Sequence, residues 1–225
     1  RPVVAVGMNS GRIAMSLLGR HESIPNRTVL AAEAHRSVLK LEWIDDTILL
    51  SFHAQLGTAV WWSFADENFT SAEMIARTAL NMSTNGLAIS CAYDASWAQL
   101  AVGDTRGNIA VFDVSRDQMT DCDTLAAGSV CNRVHKKEHV TAMTWKARNR
   151  LLTVGNDGHL AELAVEDDGT IIMLLSVPIA SFTGLAHVWT LPGNNAVVVA
   201  GDYGLWTRAD GSGRSTSFQS ARTFH

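Results

Sequence analysis

Residues 103–113 read GDTRGNIAVFD, a polar turn with one strand running out of it, and near-copies of that stretch recur along the chain. MNSGRIAMS begins at Met8, LGTAVWW at Leu56 and GNDGHLAEL at Gly155. A fixed period of this kind decides the architecture, so it is sought before secondary structure. Glycines that open the turn stand at Gly7, Gly103, Gly155 and Gly201. The last three are 52 and 46 residues apart, and Gly7 precedes Gly103 by 96, which leaves room for two units. TILLSFHAQLGTAVWWSF, from Thr47, fills the vacant place, so five units emerge.

A second signature has the same period: an apolar residue, two others, an apolar residue, one other, then usually an aromatic. It appears as Val38, Leu41, Trp43; as Ala88, Cys91, Tyr93; as Val140, Met143, Trp145; and as Leu185 and Val188 with Thr190 in the last place. The starts are 50, 52 and 45 residues apart. Between the signatures, KLEWI, TILLSF, QLAVG, RLLTVG and AVVVAG are short runs of β-branched, leucine and aromatic residues bounded by Gly, Asn and Asp. Such runs read as strands of an all-β domain. Asp157 and Gly158 supply the turn dipeptide of a hairpin, and Ser10–Gly11 and Arg106–Gly107 occupy the same slot. A unit of about four strands cannot bury both faces of its own sheet, so the units must stack, and radial stacking gives a β-propeller.

These residues resemble the WD-repeat propellers. In that family a Trp follows the turn Asp by six positions, often with Asp after it. Six from Leu56 is Trp62; six from Arg106 is Phe112, followed by Asp113; six from Asp157 is Leu163; six from Ser10 is Ser16. The family's structural hydrogen-bond set joins a loop His, a Ser or Thr on the second strand, the turn Asp and the Trp. Thr153 and Asp157 fit two of these places, with His135 or His139 for the loop His, and His35 suits that slot in another unit. The resemblance implies an all-β propeller over residues 1–210, with about five recognisable four-stranded blades, followed by a polar terminal strand or tail over 211–225. The opening PVVAVG reads as a second strand. Five units are fewer than the roughly seven usual in the family, so the expectation is part of a larger or partner-completed ring.

Composition bounds the function. With 225 residues, 47% hydrophobic and 18% charged, the chain can bury a sizeable core. A net charge of −4 disfavours a nucleic-acid footprint carried by the whole domain. The cysteines Cys91, Cys122 and Cys131 make no even framework and match no zinc spacing, which points to a reducing intracellular compartment, cytoplasmic or nuclear. The longest apolar run, IIMLLSVPIA from Ile171, is about half of what spans a bilayer and contains Pro178, so no membrane insertion is expected.

Catalytic constellations are not found. His135 and His139 after Cys131 would suit a metal only on a helix, whereas they lie in the loop leading into VTAMTW; no metal or cofactor is expected. NDG lacks the spaced acids of a calcium loop, Asp167 and Asp168 read as a hairpin turn, and Cys91 reads as a small core residue. Trp61 and Trp62 point to opposite faces of one strand, both into core. The reading is a non-catalytic scaffold that holds other proteins of a larger complex, with no small-molecule substrate. An RNA-binding role through Arg133, Lys136 and Lys137 is the alternative, and a channel enzyme is less favoured. The resemblance places the recognition face on loops before each first strand and turns after each second. It would include Asn9, Thr105, Arg106, Lys136, Lys137, Asn156 and Tyr203, and Trp97, in a connecting loop, is a further contact candidate.

Overall fold

A computed structural model describes residues 3–17, 28–31, 36–55, 57–65, 71–120, 123–179, 185–191, 196–201, 204–208 and 216–219. These residues form five sheets, one for each unit of the repeat. The first holds β1 (Val3–Gly7), β2 (Arg12–Leu17) and β3 (Thr28–Ala31). The second is a meander of β4 (Val38–Trp43), β5 (Ile48–His53), β6 (Thr58–Phe64) and β7 (Ala72–Asn81). The third begins with β8 (Ala88–Asp94), β9 (Gln99–Asp104) and β10 (Ile109–Asp113). It leaves its plane through α1 (Arg116–Thr120) and β11 (Thr124–Ala126) before closing with β12 (Ser129–Cys131). The fourth is β13 (Val140–Ala147), β14 (Arg150–Gly155), β15 (His159–Val165) and β16 (Ile171–Pro178). The fifth is β17 (Leu185–Leu191), β18 (Ala196–Gly201), β19 (Gly204–Arg208) and β20 (Thr216–Gln219). The terminal stretch 211–225 thus contributes a strand that pairs with β19. No helix among the described residues is long and apolar enough to cross a membrane.

The second signature of the sequence marks the first strand of each of the last four blades. Val38, Ala88, Val140 and Leu185 are the opening residues of β4, β8, β13 and β17. In all four, the register with the neighbouring strand slips immediately after that residue. Residues three apart on a regular strand face opposite ways, but the extra residue of a β-bulge returns them to one side. The apolar spacing of three, then two, is therefore the sequence of a bulged strand. Each signature packs against the blade before it. Val38, Leu41 and Trp43 meet Ala5, Ile13 and Met15, while Cys91 and Tyr93 join Leu50, Phe52 and Trp61. Val140 and Met143 meet Ala101, Ile109 and Val111, and Leu185 and Val188 meet Leu152, Val154 and Leu160.

Close approach at these junctions explains two of the recurring glycines. A Cβ on Gly7 would lie 2.5 Å from Val38 Cγ1, and one on Gly103 would lie 2.6 Å from Val140 Cβ, far inside van der Waals contact. A different set of glycines turns the hairpins: Gly11, Gly57, Gly107 and Gly158 have φ of 81°, 70°, 78° and 72°, a region costly for other residues. Pairing confirms the shared slot, since Gly7 faces Ile13, Gly103 faces Ile109 and Val154 faces Leu160 around Ser10, Arg106 and Asp157. β1 touches β4 as β9 touches β13 and β14 touches β17, so β1 holds the place of a second strand. Because blades cover both faces of the middle strands, β5 and β9 are buried almost without alternation. Trp61 lies in the core shared with the third blade and Trp62 in the core shared with the first.

The third blade also straps the second. Between β10 and β12 the chain crosses to the outer edge of β7, where β11 pairs in parallel, Thr124 with Ala79 through Ala126 with Asn81. An exposed long edge strand is an aggregation template, and this crossover covers one. Met119 of α1 anchors it: the Trp61 indole N–H donates to Met119 Sδ at 2.8 Å, and the Thr78 hydroxyl donates to the Met119 carbonyl at 3.0 Å. Met119 is 2% exposed. Met119→Ala is expected to destabilise the protein by about 2–5 kcal/mol and to expose the β7 edge. Thermal unfolding and hydrogen exchange at residues 76–81 check this, and unchanged protection there would refute the anchoring role.

Candidate functional site

The turns after the second strands and the loops entering the first strands meet at one end of the sheets. Val38 N–H donates to the Met8 carbonyl, Thr105 N–H to Leu87, His135 N–H to Gly107 and Asn156 N–H to His139. These bonds knit neighbouring turns into one continuous face. Asn9, Thr105, Arg106, Lys136, Lys137 and Asn156 all stand on it. Arg106, Lys136 and Lys137 are exposed, Thr105 accepts the Leu87 N–H on its hydroxyl, and the Asn9 carbonyl accepts from Ser37. Tyr203 lies outside the described residues. Trp97 does not join this group: it sits on the β8–β9 turn, at the opposite end of β9, 46% exposed. There the Arg148 guanidinium covers its ring at 3.8 Å and also approaches Asp167 at 3.9 Å.

Beneath the turn face, buried polar residues of the second, third and fourth blades bond across their hairpins. In the third blade, the buried Asp104 carboxylate accepts the N–H groups of Arg106 (2.8 Å) and Asn108 (2.9 Å), the Asn108 amide (2.7 Å) and the Thr84 hydroxyl (2.9 Å). The Asn108 side-chain oxygen accepts the Arg133 N–H at 3.0 Å, so one carboxylate fixes the turn and the next loop together. In the fourth blade, fully buried His135 takes the loop position, and His139 does not. Its Nδ1 lies 2.9 Å from Asp157 and its Nε2 lies 2.8 Å from the Thr153 hydroxyl. Asp157 is acceptor-only as a carboxylate, so Nδ1 is the donor of that pair. Buried Leu163 fills the place of the Trp. The second blade keeps the other half of the set: the Trp62 indole donates to Ser51 at 3.0 Å, and Ser51 contacts His53 at 3.1 Å. His35 lies outside the described residues.

The titrating groups here have structural roles. Burial drives the Asp157 carboxyl upward, but the His135 hydrogen bond and charge and the His159 N–H outweigh it and hold the group below its ordinary range. Burial pushes the Cys91 thiol up to about 12, with Lys40 offsetting only part, so it is a poor thiolate. No cluster of three metal-ligating side chains occurs among the described residues.

A cleft of about 540 Å³ opens on the turn face between the third and fourth blades. Ser83, Thr84 and Asn85 line it from the loop before β8, Arg106 and Asn108 from the β9–β10 turn, and Asn132, Arg133 and Lys137 from the loop before β13. Arg106, Arg133 and Lys137 were named from sequence. The polar loop MSTNG, from Met82, was the unused signal for the opposing wall.

No protein-family model matches the chain, and no curated protein matches it. Solved structures do: 964 chains match, a breadth that points to a widely used fold and selects no activity. Among them is U3-55K, a WD40 β-propeller protein, with a TM-score of 0.60 at 8% identity. The match covers 88% of this chain and 56% of that one, so the chain spans about half the length of its structural neighbour.

A carboxyl whose pKa falls on folding contributes stability above its unfolded value, here 3.8, and loses that contribution as pH drops through the folded value. Asp157→Asn should therefore lower stability at neutral pH by about 1–3 kcal/mol and flatten the decline on acidification. Denaturant melts between pH 7 and pH 3 check this; equal acid dependence in both proteins would contradict the role given to Asp157. Sheet order, blade-to-blade packing and this structural likeness together identify the fold as an all-β propeller similar to that of WD-repeat proteins.

Proposed function

We propose that the chain is a non-catalytic scaffold for protein–protein interaction, a WD-repeat-type subunit of a multiprotein assembly in a reducing intracellular compartment. The turn face carries this reading. Arg106, Arg133, Lys136 and Lys137 are exposed there, and no described carboxylate pairs with any of them. Elsewhere, Lys40 pairs with Glu42, Lys146 with Glu162 and Arg148 with Asp167. Unpaired cations on loops held by a rigid scaffold are available to a partner. The same cations favour RNA as a second reading, against which the net charge of −4 weighs.

Affinity isolation from native cells, with and without nuclease, separates the two. A stoichiometric protein set that survives nuclease is the expected result, and recovery of the protein alone would overturn the scaffold. Reversal of Lys136 and Lys137 to Glu should weaken that set by about tenfold or more while leaving the melting temperature unchanged.

A further inference from the structure

The cleft between the third and fourth blades has a definite chemistry. Its lining contains three cations, five hydroxyl or amide side chains and no carboxylate. Glu138, the acid of the adjoining loop, is not among the lining residues. Asp104 lies under the floor, fully buried, with its oxygens occupied by Thr84, Asn108 and the turn backbone. Three positive side chains above one buried carboxylate leave a local excess of two positive charges. The cations come from two separate segments and converge on one small space, an arrangement for a compact anion rather than a stripe for a long polyanion.

The walls are also set in advance. Ser83, Arg133 and Lys137 of the lining have φ of 54°, 59° and 72°, and Lys136 beside them 46°, four of the seven non-glycine residues with positive φ among those described. Such conformations cost on the order of 1–3 kcal/mol each and persist where surrounding bonds impose them. Here Asn81 holds the Ser83 N–H at 3.0 Å and Asn108 holds the Arg133 N–H at 3.0 Å. A Cβ on Gly107 would meet the carbonyl oxygens of His135 and Glu138 at 3.0 Å, so turn and loop backbones are already in contact. Fixed donors lose little freedom on binding.

We propose that this cleft binds a phosphate monoester carried on a serine or threonine of a protein partner. The proposal deepens the scaffold reading and rests on it. A phosphate monoester brings a charge of about −1.5 to −2 near neutral pH and three acceptor oxygens, which match the local charge and the supply of donors. Arg106 and Arg133 contribute planar guanidinium groups, Lys137 a point charge, and Ser83, Asn85 and Asn132 neutral donors around them. A single carboxylate would leave part of that charge and several donors unmatched.

The test measures binding of the purified chain to a library of short peptides with a central phosphoserine. The same library with serine at the centre, inorganic phosphate and single-stranded oligouridylate serve as comparison probes. Selection of phosphoserine peptides over their serine counterparts by about tenfold or more is expected, with loss of binding in Arg133→Glu and in Lys137→Glu. Arg12→Glu, an exposed reversal on the first blade, should leave binding unchanged. Binding should also weaken below about pH 6, where the phosphate takes up its second proton. Equal binding of both libraries, or retention by both cleft variants with their melting temperatures intact, would overturn the proposal. Tight, steeply salt-dependent binding of oligouridylate alone would overturn it in favour of RNA. A protein assembly that survives nuclease while phosphopeptides fail to bind would reject the anion site and spare the scaffold, whereas loss of the assembly rejects the scaffold itself.

Discussion

Neighbouring blades are fixed to one another at a crowded point, where the bulged start of a first strand presses on the backbone of the blade before it. Val38 against Gly7 and Val140 against Gly103 are the closest of these contacts. The bulge turns a three-residue spacing into a single apolar face, and the glycine lets that face approach. Hydrogen bonds then cross the same junction: the Ser90 hydroxyl donates to the Val140 carbonyl at 2.6 Å, and the Trp145 indole donates to the Ala92 carbonyl at 3.2 Å. Sheet order, the continuous burial of the middle strands and the meeting of turns on one face all follow from that packing.

The turn chemistry is more varied than the packing. A hairpin that opens a blade needs its N–H groups satisfied and its loop tied to the sheet, and different residues can do that work. Asp104 does it with one carboxylate and His135 with Thr153 and Asp157, whereas in the second blade Trp62, Ser51 and His53 bond the two strands of the hairpin to each other. This is why the family motif reads as degenerate while the fold is regular. The motif records one solution to a local bonding problem, whereas the period records the packing of whole sheets.

The same distinction decides what was legible in the sequence. The four first strands were visible because core spacing and bulge repeat together, and the turn glycines because only glycine takes their backbone angles without cost. The strap was not visible: a helix of five residues and a strand of three show no period, and Met119 has meaning only beside Trp61. Asp104 was missed as the organiser of its turn because it stands two places before the slot held by Asp157 in the next blade. Of the cleft, Arg106, Arg133 and Lys137 were evident as charges. Their convergence with Ser83 and Asn85 depends on left-handed turns at ordinary residues, which composition does not signal. Trp97 is exposed, yet a strand's length separates its turn from the others.

Function in this account is a consequence of packing. Rigid junctions between blades hold loops in conformations they would not keep alone, and those loops present unpaired cations around one cleft. The most direct test of the central claim compares the stability of Gly103→Ala with that of Gly128→Ala. An added Cβ at Gly103 would overlap Val140 and Met143, whereas one at Gly128 meets only the Val111 carbonyl at 3.7 Å. A loss of about 1–3 kcal/mol is expected for the first variant and a change within about 0.5 kcal/mol for the second. Equal stability in the two variants would contradict it.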